Sequence, residues 1–357
     1  MPYNLGMTEI TLVLPYALPP PEMATDLLRA LKTPSLATLL SRHTHFKYSQ
    51  YDNDSRVLPH EAWLAHALGL ASAPDRPDTA APLASAVMRG CGLQAQVDAE
   101  AGQGHWFIVQ PAHIQLSRTH LLLSDPRALH LNEAESRALY ELARPCFEEQ
   151  GKTLLHAAPG LWFARADDWS GLATASPDAA ATQNLSDWMP EGEHARAYRK
   201  LQNEIQMQWH EHPVNEARQA RGLQAVNAFW MWGGAGPLAA SPQPLAIAGG
   251  PAWMEALAAP ALRQPTAAQL IAAPGAVMLA ELIPSAQTGD WADWIARMQR
   301  IEQEWLAPLL AALQDGRIGR VTLVLSHRNG WSTIGTSKLA LRKFWRKPNL
   351  NLLMKQA

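Results

Sequence analysis

The chain has 357 residues, 47% of them hydrophobic and 17% charged, with a formal net charge of −2. That much apolar material excludes a disordered chain, and the near-neutral balance excludes a general polyanion binder. Only two cysteines, Cys91 and Cys146, are present, which excludes a disulfide scaffold or a cysteine-based zinc site.

The opening residues, MPYNLGMTEITLVLPYALPPP, lack a basic n-region and do not read as a signal peptide. No stretch approaches the roughly 20 apolar residues that span a bilayer, so a cytoplasmic protein is expected. Ile10–Leu14 reads as a short buried strand ended by Pro15. Helical spacing follows over 22–31 and 35–42, then a polar stretch, 43–57, expected as a loop, and a further helix over 61–70. Segments 71–82 and 173–183, rich in alanine with prolines and aspartates, read as linkers. Between them, 106–109, 114–123 and 161–164 read as strands, and Asn132 with Glu135 marks a capped helix in which Pro145 predicts a kink or early end.

From about residue 193 the pattern becomes regular. A helix over 195–210 leads to a strand at 227–232, a glycine turn at 233–236, and strands at 245–248, 277–282 and 321–325. Before the last of these, Trp291, Trp294, Ile295, Met298, Ile301, Trp305, Leu309 and Leu313 form one long apolar stripe of helical period. The alternation implies a largely parallel sheet with helices on both faces.

Open sheets of this kind place sites at the carboxyl ends of their strands. Gly233, Gly234 and Gly236 suit close backbone approach to an anion, although a tight turn is the plainer reading. Ser326-His327-Arg328-Asn329 is the most polar strand end, which makes His327 a site candidate. His43/His45 and His210/His212 are spaced i,i+2 and face apart on a helix, so a solvated loop or helix end is the plainer reading. The basic, aromatic stretch 338–347 would suit an anion or a nucleic-acid phosphate, but reads first as a basic surface segment.

HPVNEARQARGLQAVNAFWMWGGAG (212–236) resembles the His-Pro-Val-Asn…Arg…Gly…Asn…Trp-Gly-Gly stretch of archaeal-type cofactor-independent phosphoglycerate mutases, members of the alkaline phosphatase superfamily. LKTPSLATLLSR (31–42), LHLNEAESRALYELA (129–143) and DWMPEG (187–192) are similar to other motifs of that family, in the same order. PHEAWLAHALGL, SDPRALHL and QNEIQMQWHEHPVNEARQARG also look like a narrower bacterial group of RpfE-type regulatory proteins. The resemblance implies an alkaline-phosphatase-like α/β core over 1–75 and 190–357, interrupted by a smaller α+β cap domain over 76–189.

The family's catalytic set does not carry over. Where its first strand ends in a metal-binding Asp, this chain has Leu14-Pro15-Tyr16. His60 and Glu61 stand near the place of the nucleophilic Ser and are the weak catalytic candidates. Ile283 and Gln287 replace an Asp and a His, Ser326-His327 replaces Asp-His, and no histidine follows His327, the weak candidate for a metal ligand. Paired divalent ions need several anionic oxygens, which one imidazole does not supply.

The expected function is therefore a catalytically degenerate, mutase-like protein with a regulatory or anion-binding role and no cofactor. A phosphorylated small molecule is expected near Asn215, Arg218, Asn227, His327 and the Gly233–Gly236 turn. A protein partner is the other option, with nucleic acid disfavoured and no membrane. One alternative is an active metal-dependent phosphomutase or phosphatase with rearranged ligands, drawing on His60, Glu61, His210, His212 and His327. The other is a docking module using the basic C-terminal tail.

Overall fold

The computed structural model describes residues 8–71, 78–93, 104–117, 120–181, 183–239 and 241–355. Residues 72–77 and 182 of the expected linkers lie outside this set. The described strands, in chain order, are β1 (Glu9–Leu14), β2 (His45–Gln50), β3 (Trp106–Ala112), β4 (Ile114–Ser117), β5 (His120–Leu123), β6 (Thr153–Ala158), β7 (Leu161–Arg165), β8 (Ala228–Ala235), β9 (Ala246–Ala248), β10 (Ala276–Leu279), β11 (Arg320–His327) and β12 (Gly330–Ser337).

The chain forms two units. The first comprises residues up to Asn53, Pro244–Gly250 and Ala258–Ala357; the second comprises Asp54–Gln243 and Pro251–Leu257. The first carries a mixed α/β fold. Its six-stranded sheet has the order β2-β12-β11-β1-β10-β9, with β1, β9, β10 and β11 mutually parallel and β12 antiparallel to both its neighbours. The parallel strands are the apolar runs ITLVL, AVML and VTLVL, as expected for strands covered on both faces. The edge strand β2 falls in the stretch expected as a loop. Its signal is the alternation of half-buried Phe46 and Tyr48 with His45, Lys47 and Ser49.

The long apolar stripe is buried against this sheet: Trp294, Met298, Ile301, Leu309 and Leu313 are fully enclosed. It is not one uniform helix. α-helix Trp291–Ile301 passes through a π turn, Glu302–Leu306, into α-helix Ala307–Asp315. Pro308 has no N–H to return to the carbonyl of residue 304, so a regular ladder cannot run through it. The buried Glu302 carboxylate then accepts from Ser35 N (2.6 Å) and Leu36 N (3.1 Å). It caps helix Pro34–Ser41, whose own N-cap, Thr33, supplies no side-chain bond.

The second unit is larger than the expected 76–189 insert. Its antiparallel sheet has the order β6-β7-β3-β8, beside a β4-β5 hairpin. The strand expected in the parallel sheet, β8, pairs instead with β3. Helix Ala195–His210 packs there too, with Tyr198, Leu201, Ile205 and Trp209 in the cluster of Phe229, Trp162 and Leu139. Both boundaries are thus corrected: 54–75 and 190–243 belong to the second unit. A fully apolar run such as AFWMW fits a buried strand of either pairing sense, so sequence pattern alone misassigns it. Helix Glu133–Glu149 also runs past Pro145 without ending, and Pro145 and Glu141 both lie on its exposed face. Among the described residues, no helix is long and apolar enough to cross a membrane.

Candidate functional site

In the first unit, the carboxyl ends of the parallel strands present few chemical groups. After β1, Tyr16 adopts φ +58°, its N–H donates to Ser326 Oγ (3.3 Å) and its carbonyl accepts from Trp294 Nε1 (2.9 Å). After β10, Glu281 accepts from Arg300 at 2.7 Å. At the end of β11, Asn329 N donates to His327 Nδ1 (3.1 Å), which places the ring proton on Nε2, 3.0 Å from Tyr48 Oη. Both ring nitrogens are therefore used inside the sheet. Burial pulls the His327 pKa down to about 4 and pushes the Tyr48 hydroxyl up. At Gly330 an added Cβ would lie 2.5 Å from Tyr48 Oη and 3.0 Å from His327 Nε2, so only glycine fits beside this pair. The His327 lone pair on Nδ1 is thus taken by the Asn329 N–H and its Nε2–H faces Tyr48.

The expected ligand residues of the second unit are likewise engaged. Asn215 donates to Trp209 O (2.7 Å) and Val226 O (2.9 Å) and accepts from Val226 N (2.8 Å). Asn227 clamps Ile114, accepting from its N and donating to its O, both at 2.8 Å. Arg218, 0% exposed, donates to Gln224 O (2.9 Å), Leu129 O (2.5 Å) and Glu135 Oε2 (2.6 Å). Glu135 also receives Arg221 and closes the capping box with Asn132. Burial opposes the Glu135 charge, but Arg221, the Asn132 N–H and Arg218 outweigh it and hold its pKa below the ordinary carboxylate value. These side chains staple loops to helices, so the polar groups expected to face a ligand are bonded within the fold. They also belong to a different unit from His327.

Gly233 and Gly234 are structural as well. β8 continues through Gly233 and Gly234 to Ala235, with Gly233 at φ +69° where its register against β3 shifts, a β-bulge rather than an anion-binding turn. A Cβ on Gly234 would meet the Phe107 ring at 2.6 Å and His105 Nε2 at 2.8 Å. Gly236, just past the strand, is open, and its carbonyl accepts from Ser85 Oγ (2.7 Å). His212 caps helix Pro213–Ala220 by accepting from Val214 N, while His210 is exposed. In the tail, Lys343 and Arg346 bond the carbonyls of His43 and Ser41, and Phe344 and Trp345 are 80% and 68% exposed.

His60 and Glu61 lie in the first turn of helix Pro59–Ala67, opened by Pro59 and capped by Glu61 Oε2 accepting from Leu58 N (3.1 Å). Both are buried, and the fold brings Asp178 to them from the single helical turn Pro177–Ala180. Ligand atoms of His60, Glu61 and Asp178 all lie within 4.8 Å of one another, the one such group among the described residues. Arg127 braces this corner, reaching Asp125 (2.8 and 2.9 Å) and Asp178 (2.8 and 3.4 Å) with both edges of its guanidinium. Burial opposes the Arg127 charge, but the two carboxylates outweigh it and raise its pKa. Burial, helped by the Arg127 charge, pushes the His60 pKa down to about 3, so the imidazole is neutral.

Beside the cluster is a cavity of about 20 Å³, lined by Glu61, Asp178, Asp125, Arg127 and Gln110 and walled by Trp232 and Trp253. Gln110 accepts from Trp232 Nε1 (2.9 Å), and the two indoles meet edge to face at 5.0 Å. That volume has room for one water molecule or one ion. Sequence reasoning missed Asp178, Arg127 and Asp125, because no local spacing links residue 61 to residues 125–178.

No protein-family model matches the chain. A probable 2,3-bisphosphoglycerate-independent phosphoglycerate mutase of Geobacter sulfurreducens is 27% identical over 131 residues, 36% of this chain. The match spans about a third of that relative's length (32%) and supports a relationship to cofactor-independent phosphoglycerate mutases. Among solved structures, PH0037 from Pyrococcus horikoshii superposes with a TM-score of 0.53 over 98% of this chain and 92% of that one, at 13% identity, so the two share a fold. The cofactor-independent phosphoglycerate mutase of Thermoplasma acidophilum gives a TM-score of 0.39 over 98% and 95%, at 13% identity, and that score carries no fold argument.

Proposed function

We propose that this chain is a catalytically degenerate relative of the cofactor-independent phosphoglycerate mutases, with a regulatory or anion-binding role of the kind that the RpfE-type resemblance implies. The observation that carries the reading is the chemistry of the strand ends in the first unit. The described groups there include Tyr16, Ser326, a neutral His327 bonded at both nitrogens, Asn329, and a Glu281 held by Arg300, with Glu281 the one carboxylate among these. Two divalent ions a few ångströms apart need several carboxylates to offset their charge, and this donor set does not fit them. Without such ions a hydroxyl nucleophile is not activated and phosphoryl charge is not neutralised. The anion-binding half of the reading no longer draws on Asn215, Arg218 or Asn227, whose polar groups are taken up internally.

The test is direct. Purified protein with manganese and 3-phosphoglycerate is expected to form no 2-phosphoglycerate above background. Turnover near the usual enzymatic range of about 1–1,000 per second refutes the reading. The second reading, an active phosphomutase or phosphatase with rearranged ligands, is favoured by one observation: the convergence of His60, Glu61 and Asp178. It predicts phosphate-ester hydrolysis that Glu61→Gln abolishes.

A further inference from the structure

We infer that His60, Glu61 and Asp178 form a binding site for a single first-row divalent cation, of the manganese or zinc type, within the second unit. The inference stands apart from the leading functional reading, which concerns the strand ends of the first unit, and uses the cluster on which the second reading draws without requiring its activity.

Three observations converge on it. The first is the donor set. One imidazole and two carboxylates make a mixed nitrogen–oxygen site suited to zinc or manganese. Bonds of about 2.0–2.2 Å to one ion put neighbouring ligand atoms roughly 3–4 Å apart. The observed limit of 4.8 Å therefore needs a closure of no more than about an ångström or two, which rotation of a side chain supplies.

The second is the support around the donors. Glu61 is oriented by the Leu58 N–H (3.1 Å), and Asp178 by the Arg127 guanidinium, itself held by Asp125. Such outer partners are what fix ligand geometry in metal sites.

The third is charge and size together. The formal charges lining the cavity are the carboxylates of Glu61, Asp125 and Asp178 against the single guanidinium of Arg127. A divalent cation balances that set, whereas a phosphate or carboxylate ligand would add to the excess. A volume of about 20 Å³ has room for an ion.

The experiment uses the full chain without a histidine tag, stripped with chelator and dialysed against manganese or zinc alone. One equivalent of metal per chain after gel filtration is expected, with a rise in unfolding temperature when the ion is added. Glu61→Gln keeps an acceptor for the Leu58 N–H, and Asp178→Asn keeps one for Arg127. Each is expected to weaken binding by about 100-fold or more. Should either variant fail to fold, cobalt(II) added to the wild-type protein serves instead: a visible spectrum with nitrogen–oxygen ligation is expected. No uptake of either ion, undiminished uptake by both folded variants, or a cobalt spectrum of the hydrated ion alone overturns the inference. None of these readouts depends on turnover, so failure here leaves the phosphoglycerate assay to be judged separately.

Discussion

Replacing Arg218 by Met separates a structural arginine from a ligand-binding one. The guanidinium is wholly enclosed and makes three bonds, to Gln224 O, Leu129 O and Glu135 Oε2. Methionine fills much of the same volume but donates nothing. Two carbonyls then lose a donor, and the Glu135 carboxylate, whose side chain is only 10% exposed, keeps Arg221 and the Asn132 N–H as its named partners. Removing one member of a buried ion pair costs about 3–5 kcal/mol. At about 2–4 °C per kcal/mol for a unit of this size, the second unit should melt roughly 6–20 °C earlier. An arginine that only contacted a ligand would cost within about 0.5 kcal/mol, since surface substitutions seldom cost more. Thermal unfolding followed by far-ultraviolet circular dichroism, with urea denaturation as a second measure, distinguishes the two. Glu135→Gln should cost less in the Arg218→Met background than alone, because the two residues share one interaction. A melting temperature within about 2 °C of wild type would refute the staple and return Arg218 to the list of ligand residues.

In the first unit, Glu302→Ala removes the charged cap of helix Pro34–Ser41 and should cost about 2–4 kcal/mol, measured by urea unfolding; Glu302→Gln, which keeps an acceptor, should recover part of it. Gly330→Ala should cost about 1–3 kcal/mol by driving a methyl group into Tyr48 and His327, and a neutral effect on melting would mean that β12 gives way there. The pH dependence has a definite sign. Unfolded His327 takes up a proton near pH 6.5 but the folded residue only near 4, so its contribution is intact above 6.5 and is lost as the pH falls to 4. That loss amounts to about 3 kcal/mol, and His327→Gln should flatten the corresponding part of the stability–pH curve; an unchanged slope would contradict the buried neutral ring.

Several features were legible from local pattern. The apolar runs at Ile10–Leu14, 245–248 and 321–325 are parallel strands of one mixed sheet, and Asn132 with Glu135 marks the start of helix Glu133–Glu149 in the second unit. His60 and Glu61 stood out because the resemblance implied that they stand near the family's nucleophile, and both prove to be buried, Glu61 lining a small cavity. Other readings failed for identifiable reasons. Asn215, Arg218 and Asn227 carry the same side-chain groups whether they hold a ligand or a loop, and only their partners decide which. Gly233 and Gly234 read as a turn because glycine permits one, whereas here they relieve a bulge and a tight strand crossing.

What the sequence determined by itself is whatever depends on neighbours a few positions away: the period of apolar residues, the caps, the prolines that end or bend an element. Tertiary structure alone decided that β8 joins an antiparallel sheet rather than the parallel one, that Glu302 caps a helix 267 residues earlier, and that Asp178 meets His60 and Glu61. The reason is physical. Backbone periodicity is set by local torsions and burial, while hydrogen-bond partners, charge balance and cavities depend on groups that the chain brings together only after it has folded.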